Sequence, residues 1–169
     1  MAGLITCASA GAVNLWSLQR HSLPQIVLEA PDEATFVRRA GAALSRYSGR
    51  TGFEACADIC RAPDGTFGIL PVSIGAHAAC STLRRCPKGM TLTGRLLHSH
   101  PTDAKFLANE VDFYLQGKPY QPNTWWTAGD PGLFSEADYA EPGYLIVYGQ
   151  VWFQSGVGKE VRVGTLLTD

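Results

Sequence analysis

Asp64-Gly65 stands between two apolar runs, residues 53–61 and 66–75, that alternate along the chain. An Asp-Gly pair in that setting is the strongest short signal for a β-hairpin. The spacing therefore predicts an antiparallel strand pair, with Glu54 at the start of its first strand. Upstream, residues 25–29 read as a short strand that ends at Pro31-Asp32. From Asp32 the period changes: Phe36, Val37, Ala40, Ala43, Leu44 and Tyr47 recur three and four apart, with Asp32 as cap and Gly49 as stop. That pattern predicts one amphipathic helix over 32–47, of about four turns. Leu92, Leu96 and Leu97 form a core strand whose carboxyl end presents His98, Ser99 and His100. Residues 101–133 are rich in Pro, Gly and aromatics and read as a long, mostly irregular loop. One short helix is expected within it, over 104–115, where Phe106, Asn109, Asp112 and Phe113 keep helical spacing. Ser135 then caps a turn, and residues 144–156 and 161–167 supply two or three late strands.

One helical run among many strand signals implies an α/β or α+β chain, and 18 Gly with 10 Pro argue against a helical bundle. A length of 169 residues suits a single domain, 1–169, with residues 1–31 as an N-terminal segment. An apolar content of 46% against 17% charged residues excludes extended disorder. The net charge of -1, with no basic cluster, argues against a nucleic-acid partner. Residues 1–13 are apolar and small, but no Lys or Arg precedes them and the run is too short to span a bilayer. They read as a strand or ordered segment, with a degenerate or trimmed secretory signal as the alternative. No membrane span is expected elsewhere.

Five cysteines occupy positions 7, 56, 60, 80 and 86. Cys56, Cys60, Cys80 and Cys86 are open to three readings: disulfides in an oxidising compartment, buried free thiols, or a four-thiolate zinc site of unusual spacing. The compartment, bacterial cytoplasm or secreted and periplasmic space, stays open with them.

His98 and His100 lie two apart at a strand end, so both imidazoles point to one face and can reach one ion. A catalytic zinc with two histidines needs a third protein ligand, an open position for water and a nearby base. Ser135 and Asp138 form an S-x-x-D element that places hydroxyl and carboxylate side by side on one turn. Glutamate strand, H-x-H-P and S-x-x-D occur in that order. This ordered set, over about residues 32–153, resembles the JAB/MPN (JAMM) zinc metalloprotease superfamily, and in particular its small bacterial JAB-like branch found in secreted and toxin-associated proteins.

The resemblance implies a cytidine-deaminase-like fold: a mixed, mostly antiparallel sheet with one main helix packed on it. It implies Zn2+ held by His98, His100 and Asp138, Glu54 as the base that activates water, and Ser135 as a stabiliser of the oxyanion. The reaction would be hydrolysis of a peptide or isopeptide bond in a protein or peptide substrate. The spacing usual in the superfamily would put the serine at Ala108 and the carboxylate at Val111, neither of which suits its role. Thus 101–133 is read as an insertion beside the site, acting as lid or specificity element, and Asp112 competes with Asp138 as the third ligand. The stretch from Phe134 to Asp138, followed by apolar strands, favours Asp138. Trp125, Trp126, Tyr120 and Phe134 either pack this loop or line a peptide groove. Two further readings are a catalytically silent JAB-like protein-interaction module and a disulfide-stabilised secreted binding protein. His21, His77 and the Arg84-Arg85 turn read as structural or solvated.

Overall fold

The computed structural model describes residues 18–130 and 132–167, so the expectation for residues 1–13, and Cys7 with it, lies outside the described residues. Asp32 starts the main helix α1 (Glu33–Thr51) by accepting the Thr35 N–H on its carboxylate at 2.7 Å. The helix runs through Gly49, the expected stop, because one internal glycine costs only about 1 kcal/mol. It ends at Gly52, whose left-handed φ of 74° lets its N–H reach the Ser48 carbonyl at 2.8 Å.

The short strands β1 (His21–Ser22) and β2 (Ile26–Leu28) precede this helix, and the expected hairpin follows it as β3 (Ala55–Arg61) and β4 (Phe67–Ile69). Its turn closes with Ala62 N–H donating to Thr66 O at 2.8 Å, and Gly65 supplies the positive φ. Next come β5 (Val72–Ser73) and β6 (Thr91–Ser99). After the excursion described below, β9 (Gly143–Val147), β10 (Gln150–Gln154) and β11 (Glu160–Thr165) complete a nine-stranded sheet. Its main path runs β1-β5-β3-β6-β9-β10-β11, with β4 also on β3 and β2 on β4. Among the described residues, all pairings in this sheet are antiparallel except β6 with β9. The chain is thus mixed α/β, with a mostly antiparallel sheet and one main helix on it.

Phe36, Val37 and Leu44 of α1 bury fully against Ile59, Leu97 and Ile146 of three strands. Gly41 lets the helix approach β9, since a Cβ there would meet Ile146 Cδ1 at 2.4 Å. Among the described residues, no helix is long and apolar enough to cross a membrane.

The described residues of 101–133 hold more regular structure than expected. Lys105–Leu107 forms β7 and pairs with β8 (Trp125–Thr127), so the helix expected over 104–115 is confined to α2 (Glu110–Leu115). The reason is local: Asn109 and Asp112 cap each other, and a reciprocal capping box fixes the helix start at that point. The excursion is tied down from outside as well. Asp112 accepts from His77 N at 3.0 Å and meets His77 Nδ1 at 2.7 Å, while the His77 ring stacks on Phe106.

Two disulfides, Cys56–Cys80 and Cys60–Cys86, lace residues 80–86 across β3. Neither free thiols nor a four-thiolate zinc site remains at these positions. Asp58, between the two bridges on the same strand, accepts the Arg84 N–H at 2.8 Å. Alternate residues of one strand therefore hold the loop at three points. The Arg84-Arg85 turn is exposed, as expected, and the Arg84 guanidinium also pairs with Glu141 and holds that carboxyl below the usual range.

Candidate metal centre

The carboxyl end of β6 is clamped on both sides. His98 lies opposite Cys56 of β3 and beside Leu145 of β9, and the His100 N–H donates to Ile146 O at 3.0 Å. Strand alternation then sends Ser99 the other way. Its hydroxyl is fully buried against α1, 2.7 Å from Ser48 Oγ. Both imidazoles consequently share one face, with ring centroids 4.9 Å apart.

Asp138 reaches this face from the short 3-10 turn Glu136–Ala140 that precedes β9. One ligand atom each from His98, His100 and Asp138 lies within 4.8 Å of the others. His98 Nε2 stands 3.4 Å from Asp138 Oδ1, close to the tetrahedral edge of about 3.3 Å that follows from Zn–N bonds of about 2.05 Å. The other oxygen, Oδ2, is taken: it accepts from Ser135 N at 2.7 Å and from Ser135 Oγ at 2.9 Å. Ser135 thereby turns Oδ1 toward the histidines, the orienting role that partners of metal ligands usually play. The competing carboxylate, Asp112, is bound to His77 and Asn109 and is not in this group.

The donor set fits a divalent cation. His98 Nε2 is buried and has no hydrogen-bond partner among the described residues, although buried polar atoms are nearly always satisfied. Burial, with a smaller push from His100, lowers the His98 pKa to about 4 against the pull of Asp138. The ring is therefore neutral at neutral pH and offers a lone pair, as a metal ligand must. Two imidazoles and one carboxylate suit a transition-metal ion such as Zn2+ better than Mg2+ or Ca2+, which prefer oxygen ligands.

Glu54 directly precedes β3 and is fixed by its N–H to Ala76 O at 2.9 Å. Its Oε1 lies 3.5 Å from His100 Nε2. Burial first, and the Asp138 charge second, raise its pKa well above that of an ordinary glutamate. All five residues expected at the site, Glu54, His98, His100, Ser135 and Asp138, line one cleft of about 990 Å3. Trp125 and Leu107, both exposed, line the same cleft, whereas Trp126 packs inward on Phe113.

Two features escaped the sequence reading. One is the partner of His77: the histidine, read as structural, anchors the excursion through Asp112, and no spacing rule links the two. Gln154 is buried at the end of β10 and donates to the Asp138 carbonyl at 2.6 Å. Its only signal was an amide at the end of an apolar strand. Comparison with family models, with curated proteins and with solved structures finds no match to the chain.

Proposed function

We propose that the chain is a zinc-dependent hydrolase of peptide or isopeptide bonds, of JAMM type and with a cytidine-deaminase-like fold. The observation that carries this reading is the convergence of His98, His100 and Asp138 around a buried, unpartnered Nε2, with Glu54 next to them. In that arrangement His98, His100 and Asp138 would hold the ion, and three protein ligands leave a fourth position for water or substrate. Zn2+ supplies acidification of water to a pKa of about 7 and polarisation of a carbonyl oxygen.

The chain's own groups supply the remaining chemistry. Glu54 accepts a proton from the attacking water and returns it to the leaving amine, a task matched by a carboxylate made more basic than usual by burial. Ser135 holds Asp138 in the ground state, and its hydroxyl is the donor placed to turn toward an oxyanion at the cleft. The exposed side chains of Leu107 and Trp125 give a peptide an apolar wall to lie against. The two disulfides support an oxidising compartment for the chain.

The test is metal content together with turnover. Protein purified without added metal or a His tag is expected to carry one equivalent of zinc. It is also expected to cleave members of a peptide library or a panel of isopeptide conjugates. One equivalent of zinc without turnover would favour a silent interaction module. Absence of zinc would favour a disulfide-stabilised binding protein.

A further inference from the structure

The third ligand comes from a segment that burial does not hold. None of the residues in the turn Glu136–Ala140 is buried, and Ser135 and Ala137 are exposed. Hydrogen bonds must fix its position instead. Tyr139 bonds Glu160, and Arg84 bonds Glu141, but those contacts grip side chains at the protein surface. One contact grips the backbone from below. Gln154, 1% exposed, donates from one amide nitrogen to Asp138 O at 2.6 Å and to Glu141 O at 2.7 Å. Its Oε1 accepts from Gly156 N at 2.8 Å, so both ends of the amide are satisfied and the side chain has a single orientation.

We propose that Gln154 is a positioning residue for the metal centre: by holding the turn onto β10 at its middle residue, Asp138, and just past its end, at Glu141, it sets the place of Asp138, and hence the affinity of the site for a divalent cation. The inference rests on the metal reading given above. An amide is required because two N–H donors must face two carbonyl oxygens. A glutamate would present oxygen to oxygen there, and a methionine would fill the volume but leave both carbonyls without a donor.

The experiment compares Gln154→Glu and Gln154→Met with wild type and with Val151→Ala, a core truncation on the same strand that removes packing without touching the turn. Three quantities are read: the Zn2+ dissociation constant by competition with a chromophoric chelator, the visible spectrum of the Co2+-loaded protein, and the thermal midpoint. Partners that orient ligands typically contribute about tenfold to a hundredfold in metal affinity. Both Gln154 variants are expected to bind Zn2+ about tenfold to a hundredfold more weakly and to show an altered Co2+ spectrum. Val151→Ala is expected to melt earlier with wild-type affinity and spectrum. Wild-type affinity and spectrum in Gln154→Met, the variant that adds no charge, would overturn the inference alone. A wild-type protein that binds neither ion would overturn it together with the metal reading.

Discussion

Glu54 Oε1 lies 3.5 Å from His100 Nε2, and both side chains are about nine-tenths buried. A carboxylate so placed has a role in chemistry or a role in holding the histidine, and Glu54→Gln separates them. As a general base its loss should lower turnover by about a hundredfold to ten-thousandfold. Zinc content and thermal midpoint should stay near wild type, because Gln keeps the shape. Loss of metal in this variant would instead make Glu54 a ligand, and wild-type turnover would remove it from the reaction.

His98→Ala and His100→Ala should each abolish stoichiometric zinc, since two remaining protein ligands seldom hold the ion. Elemental analysis after dialysis against a weak chelator reads the outcome directly. A full equivalent retained in the double variant would place the metal elsewhere.

Asp138→Asn should lose zinc, whereas Asp112→Asn should keep it. The second variant should be the less stable protein, by about 1–3 kcal/mol, because Asp112 is buried and accepts from His77 and Asn109. Denaturant midpoints and metal content on the same two proteins test both halves. Zinc loss in the Asp112 variant alone would restore the competing ligand.

Tyr144 donates its hydroxyl to Glu33 at 2.9 Å, and burial first, then the Glu33 charge, raises its pKa above the ordinary phenol value. The folded chain thus keeps a proton that the unfolded chain releases near pH 10. The tyrosine's contribution is intact below about pH 10 and declines as pH rises beyond it. Tyr144→Phe should cost about 1 kcal/mol at neutral pH, the usual net worth of a hydrogen bond. Its urea midpoint should then fall less steeply than that of wild type above about pH 10. Parallel curves for the two proteins would count against the assignment.

Removing the Cys56–Cys80 bridge, which spans 24 residues of sequence, should destabilise the chain by about 3.5 kcal/mol on the loop-entropy relation. The Cys60–Cys86 bridge spans 26, yet the double variant should lose less than twice that amount, because the two loops overlap. Chemical denaturation of Cys56→Ser/Cys80→Ser and of the quadruple variant reads both values, and peptide mapping of the native chain should recover these two pairings.

Local chemistry was legible where one short segment decides its own structure. The Asp-Gly turn, the Asp32 cap and the same-face histidines at a strand end all follow from residues a few positions apart. Asp138 could be placed beside them only through the resemblance of its surroundings, because nothing in the interval from His100 encodes the distance across space. The helix end was misread because Gly49 and Gly52 carry the same local signal, and only the second adopts positive φ. Within 101–133 the capping pair at Asn109 and Asp112 was visible in sequence, but the pairing of β7 with β8 depends on a partner strand many residues away. Disulfide partners were illegible for the same reason: spacing limits which thiols exist and leaves open which strand faces which loop.

The parallel pairing of β6 with β9 has a consequence for when the proposed metal site is assembled. Parallel neighbours cannot form as a hairpin, so this ladder must wait until the whole excursion has closed, and closing a long loop comes late and slowly. His98 lies in the end of one of these strands and His100 just past it, and the turn that carries Asp138 leads into the other. The three side chains therefore converge only when that ladder forms, and chains without it lack the complete set. Zinc bound at this site would then stabilise the finished sheet, by an amount that grows with the logarithm of its free concentration above the dissociation constant, and would leave earlier species ungripped.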